Sequence, residues 1–219
     1  MKNNYFYKKP LSNIYKKPNV VSEVTSQILY GEKFKIISKN KNWIKIKVSF
    51  DNYTGYIKNK DHDKDHKPTH KIFVLKANIY NKQKNKTKYF LPFASRISII
   101  QENKNFIEFE KSKWIKKNYI KKINHIEKNY LKVLKLFLKI KYFWGGKTYK
   151  GIDCSAILQL LYYYNNENLN ICFTSLGDIT EKGADKYVQL VNLFYNLYFF
   201  YMIQLMFVLM NLYAFLAIL

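Results

Sequence analysis

"YFWGGKTYKGIDCSAILQLL" runs from Tyr142 to Leu161. Aromatic residues lead into Gly145-Gly146, a short polar loop follows, and Asp153-Cys154-Ser155 opens an apolar run. The paired glycines must end any helix that precedes them. Beyond them, Ala156, Ile157, Leu160 and Leu161 fall on one helical stripe, so a helix is expected over 154–164, ending near Asn165-Asn166. A cysteine attacks as its thiolate, and the unpaired amides of a helix's first turn favour that anion. Gly145, Gly146 and Gly151 let the backbone come close to a substrate, and Asp153 sets a carboxylate where it suits a substrate ammonium. On spacing alone, a nucleophile and a small buried core residue fit Cys154 equally well.

Working outward, "NHIEKNYLKVLKLFLKIKYF" places Ile126, Leu131, Leu134 and Leu138 at helical intervals. A helix from an Asn124 N-cap to about Lys139 is expected. Upstream the texture is β. "FKII" and "WIKIKVSF" alternate, and Gly31-Glu32, Lys39 to Asn42 and Asp51-Asn52 punctuate them as turns. Residues 1–60 have the size of a small five- or six-stranded barrel. Residues 71–121 repeat the idea, with Trp114-Ile115-Lys116 echoing Trp43-Ile44-Lys45. Between them "DHDKDHKPTH", residues 61–70, is rich in metal-ligand types but reads as a polar linker broken by Pro68.

Formal net charge is +23, yet Arg96 is the only arginine. Base readers and phosphate clamps lean on the arginine fork, so a lysine-solvated surface is expected and nucleic acid is not. Two cysteines, Cys154 and Cys172, are too few for a disulfide scaffold. The N-terminus has charge but no apolar h-region. A cytoplasmic, reducing location and a free Cys154 thiol are expected.

The stretch "YFWGGKTYKGIDCSAILQ" resembles the nucleophile motif of the NlpC/p60 cysteine peptidases, with Trp144, Gly145, Gly146, Gly151, Asp153, Cys154, Ser155 and Gln159 all matching. "VTSQILYGEKFKII", "GYI" and "KPTHKI" resemble the bacterial SH3-like domains that precede the catalytic domain in one branch of that family. The resemblance covers roughly residues 1–168. It implies an α+β chain: two SH3-like β-barrels, then the start of a papain-like domain over 122–168. It also implies hydrolysis of γ-D-glutamyl–diamino acid bonds in murein peptides with a free N-terminal L-alanine, without metal or cofactor. Cys154 would be the nucleophile, and Asp153 and Ser155 would hold the substrate ammonium. Trp144, Gly145 and Gly146 would line the substrate site, with Tyr53 or Tyr56 of the first barrel completing it.

The sequence departs from this pattern after about residue 168. The family's histidine base follows the nucleophile, but His62, His66, His70 and His125 all precede Cys154. Residues 187–219 carry no charge, and 197–219 are long enough to span a bilayer. A tail that is truncated or frame-shifted from about 169 is expected to leave the enzyme impaired and helix 154–164 without a packing surface. The alternative is a non-catalytic murein-binding protein that the C-terminal helix tethers to a membrane.

Overall fold

The computed structural model describes residues 4–82 and 85–167, the Cys154 side chain excepted. This part of the chain is mostly β with few helices. The first module holds β1 (Asn4–Tyr7), β2 (Leu11–Tyr15), β3 (Val24–Leu29), β4 (Lys33–Asn40), β5 (Trp43–Val48), β6 (Thr54–Lys58) and β7 (His62–Asp63). They form one sheet in the order β3-β2-β6-β5-β4-β1-β7. The alternation in "WIKIKV" works as expected: Ile44, Ile46 and Val48 point into a core with Tyr7, Ile14, Ile28, Phe34 and Ile57.

Two expectations change here. The sheet curls around its core, but its edge strands β3 and β7 are not paired with each other among the described residues, so the barrel is open. The stretch 61–70 is also more than a linker. His62-Asp63 pairs with Phe6-Tyr7, and His66 is buried with Nε2 3.0 Å from the Arg96 carbonyl. Its aromatic ring packs edge-on against Phe6 and Tyr30. An apolar site for one ring outweighed the polar composition around it.

The second module holds β8 (His70–Ile72), β9 (Lys76–Asn81), β10 (Asn85–Pro92), β11 (Arg96–Ile97), β12 (Gln101–Glu102), β13 (Phe106–Glu110), β14 (Lys113–Lys116) and β15 (Ile120–Lys122). These form two sheets, β10-β9-β14-β13-β12 and β11-β8-β15, in place of one closed barrel. Trp43 opens β5 opposite Asn40, and Trp114 is the second residue of β14 opposite Glu108, each on the returning strand of a hairpin. The core of the second module includes a residue from the first: Tyr30, at the β3–β4 turn, packs with Ile72, Ile79, Leu91 and Phe109. Its hydroxyl donates to Glu110 at 2.7 Å.

The remaining elements are α1 (Tyr130–Lys135), the hairpin β16 (Lys147–Thr148) and β17 (Gly151–Ile152), and α2 (Cys154–Asn165). Helix α1 is shorter than expected. Asn129, and not Asn124, is the N-cap, its side chain accepting from the Lys132 amide. That start shifts the buried face to Val133 and Leu134, with Phe137 beyond the helix end, and leaves Ile126, Leu131 and Leu138 exposed. Helix α2 ends where the sequence indicates, with Asn166 in the left-handed region at φ 57° as its C-cap.

Helix α2 does not lack a surface. Tyr163 packs edge-on against Phe50 of the first module, and Tyr164 stacks on Phe93 of the second, centroids 4.9 Å apart. Its C-terminal carbonyls meet two cations from the second module. Lys71, with no exposed surface, donates to the carbonyls of Tyr164 and His125. Arg96 donates to the Tyr163 carbonyl at 2.8 Å and to the Asn166 side chain at 2.9 Å. Positive charge there complements the helix dipole. Its guanidinium carbon also lies 3.9 Å from the Tyr163 ring centroid. Arg96→Lys keeps the charge but loses the fork and the stacking. We expect a loss of about 1.5–3 kcal/mol, read as a lowered urea midpoint; a loss below about 0.5 kcal/mol would show that charge alone holds the helix end.

The tail from 169, including the apolar run 187–219 and the candidate span 197–219, lies outside the described residues. Among the described residues no helix is long and apolar enough to cross a membrane.

Candidate functional site

Cys154 is the first residue of α2, and Asp153 caps it. The Asp153 carboxylate accepts from the Ser155 amide at 2.9 Å and the Ser155 hydroxyl at 2.8 Å. Its other oxygen accepts from the Gly145 amide at 3.2 Å. Asp153 therefore ties the glycine turn to the helix start, and a substrate ammonium would share an oxygen already engaged by amides. This fixes the backbone around the cysteine.

The turn docks on the first module. Gly145 has φ +70°, and a Cβ added there would lie 2.9 Å from the Val24 carbonyl oxygen and 3.0 Å from the Thr25 carbonyl carbon. Only glycine lets the chain pass this close to β3. The Lys147 amide then donates to the Gln27 side chain at 2.8 Å. Its ammonium donates to Asp51 at 2.5 Å, both side chains almost wholly buried at 4% and 2% exposure. Glu32, also buried, faces the same cluster and accepts from the Leu29 amide at 2.9 Å. Burial pushes the Glu32 carboxyl up to about 7, Lys147 pulling the other way. For Lys147, burial favours the neutral amine, but Asp51 and Glu32 outweigh it and hold the ammonium above its ordinary pKa.

Of the two candidate tyrosines, Tyr53 is the one set beside this loop, with Lys147 Nζ 5.9 Å from its ring centroid. It is 37% exposed, so one face is open to solvent. Tyr56 lies on β6, opposite Tyr15 and Lys45. Trp144 is 62% exposed and stands with Tyr142 and Phe143 as an open aromatic rim. Phe143 fills the space above Gly151, where a Cβ would approach it to 2.3 Å. Gly146 donates to the Phe143 carbonyl and accepts from the Asp153 amide, closing the loop.

No described histidine stands beside Cys154. The ring of His125 packs on Tyr164, ten residues along α2, or about 15 Å at 1.5 Å per residue. His62 lies against Tyr5 and Phe34, His66 against Tyr30, and His70 beside Thr69. Among the described residues no group of three metal-ligating side chains comes together.

Sequence reading missed Asp51, Glu32 and Lys147. Asp51 passes for a turn residue and Lys147 for one more surface lysine; nothing local marks them as partners 96 positions apart. Arg96 did carry a signal, as the single arginine of the chain.

A family profile, the bacterial dipeptidyl-peptidase SH3 domain, matches residues 14–61. The crystal structure of an NlpC/P60 family protein from Bacillus cereus superposes with a TM-score of 0.63 at 15% identity, covering 74% of this chain and 72% of that one. NlpC2 from Trichomonas vaginalis covers 82% of this chain and 76% of its own at 16% identity, but its TM-score of 0.32 is too low to define a shared arrangement. No curated protein sequence matches the chain. Residues 14–61 thus carry a bacterial SH3-like domain, and the fold of the chain is similar to that of an NlpC/P60 family protein.

Proposed function

We propose that the chain is a cell-wall peptidase by descent, built to present Cys154 to murein stem peptides at γ-D-glutamyl–diamino acid bonds. The observation that carries this reading is the braced Gly145–Ser155 turn, in which Asp153 joins the glycine loop to the start of α2. Tyr53 beside Lys147 supports a site walled on one side by the first module. A thiol peptidase also needs a base to take the thiol proton and return it to the leaving amine. His125, the histidine nearest in sequence, sits at the far end of α2. That favours a second reading, in which the site binds murein peptides without turning them over.

Alkylation with iodoacetamide at pH 7 tests the site, and hydrolysis of L-alanyl-γ-D-glutamyl-diamino acid peptides tests the turnover. Cys154 is expected to react about tenfold faster than Cys172, through its helix N-terminus. Hydrolysis is expected at no more than about one thousandth of the rate of a histidine-bearing relative. Equal alkylation of the two cysteines would remove the nucleophile reading. Rapid hydrolysis would remove the impairment and leave the nucleophile standing.

A further inference from the structure

The two SH3-like modules enclose a cleft of about 420 Å³ that contains no residue of the Cys154 segment. Its floor is apolar, formed by the buried side chains of Ile79, Leu91 and Phe109 beside Tyr30. Tyr89, on the opposite wall, is 56% exposed and presents an open ring. Lys8 and Lys9 of the first module and Lys111 and Lys113 of the second surround the mouth. Three carboxylates among the described residues answer these four cations, Asp63 acting on Lys8 through its charge. Glu110 pairs with Lys113 and lies 3.7 Å from Lys8, and Asp61 lies 3.6 Å from Lys9. Burial alone would raise the Glu110 carboxyl, but hydrogen bonds from Lys113 and Tyr30 and the lysine charges hold it below its ordinary range. It therefore stays ionised and offsets one lysine only, and the mouth keeps a positive surplus.

We propose that this cleft binds a sugar-sized ring carrying a phosphate or a carboxylate. A pocket of this volume suits a small organic ligand, with apolar walls for its body and a few polar groups for its orientation. An inorganic anion would leave the apolar floor unfilled, and a neutral ring would leave the surplus positive charge unanswered. Lysine ammoniums act as point charges and meet phosphate or carboxylate without the geometry of an arginine fork. The net charge of +23 draws an anion toward the surface from solution. Asn81 and Ser112 line the same cleft and add polar character to it. The proposal stands apart from the reading of Cys154, because the two sites share no residue.

Calorimetric titration of the full chain with four probes tests it: N-acetylglucosamine, N-acetylglucosamine 6-phosphate, N-acetylmuramic acid and inorganic phosphate. At least one charged sugar is expected to bind about tenfold or more tighter than both the neutral sugar and inorganic phosphate. Which charged sugar wins identifies the anionic group. The double change Lys9→Ala, Lys111→Ala removes two exposed charges without touching a core, and is expected to weaken that binding about tenfold. Glu110→Gln is expected to tighten it severalfold, a gain that a purely structural disturbance would not produce. Equal affinity for neutral and charged sugars, equal affinity for inorganic phosphate, or no heat with any probe up to about 10 mM would each overturn the proposal.

Discussion

Asp51→Ala is expected to cost about 3–5 kcal/mol, because it strands the Lys147 ammonium in a dry interface. Lys147 and Asp51 are the most deeply buried ion pair among the described residues, and they join the loop after Gly145-Gly146 to the first module. The loss should depend on pH through Glu32. The Asp51 charge is one of the causes that raise the Glu32 carboxyl, so without it Glu32 ionises at lower pH and offsets part of the stranded Lys147 charge as pH rises. The penalty is therefore expected to be larger at pH 5 than at pH 8. In the unaltered chain the sign is opposite. Burial raises the Glu32 carboxyl from its unfolded value to about 7, so the folded state binds the extra proton between them. That contribution is complete below the unfolded pKa and is lost as pH rises to about 7. Urea midpoints at the two pH values, followed by the fluorescence of Trp43, Trp114 and Trp144, measure both effects, because each tryptophan sits in a different part of the chain. A cost under about 1 kcal/mol at pH 5 would mean that the pair is hydrated and does not lock the loop. Replacing both partners with apolar residues of similar size should recover most of the loss.

Gly31→Ala carries the second large effect, about 4 kcal/mol or more. Gly31 sits at φ +74°, where a side chain alone costs about 1–2 kcal/mol. A Cβ there would also stand 1.9 Å from the Arg96 carbonyl oxygen, so backbone must move. The Gly31 amide donates to Tyr7 within the first module at 2.8 Å, and the Arg96 amide donates across to Tyr30 at 3.0 Å, so the backbone that must move carries the contact between the modules. Shifting it withdraws Tyr30 from the second core and disturbs Arg96 at the C-terminus of α2. Tyr30→Phe is the informative companion. It keeps the ring in place and removes only the hydrogen bond to Glu110, for an expected loss of about 1.5–3 kcal/mol. If Gly31→Ala unfolds no earlier than Tyr30→Phe, the junction is softer than its close contacts imply.

How far the sequence carried depended on the range of the interaction involved. The α2 boundaries and the alternation of β5 follow from neighbours a few positions apart, and they were legible; the Asp153 cap is equally local but was read only as a carboxylate for a substrate. The phase of α1 was not, because Asn124 and Asn129 are equally good caps and only packing of Phe137 on Phe93 separates them. Residues 61–70 misled for a related reason. Composition there is polar, yet one imidazole finds an apolar slot.

By itself the sequence determined two β modules followed by a glycine turn that delivers a cysteine to a helix start. Those features rest on backbone geometry and side-chain period, which local residues dictate. Only the tertiary structure decided that Asp51 and Glu32 lie against Lys147, that Tyr30 belongs to its neighbour's core, and that Lys71 and Arg96 hold the far end of α2. Each of these joins groups tens of positions apart through burial. Partners of that kind are selected by the shape and dielectric of the folded interior, which no local run of residues encodes.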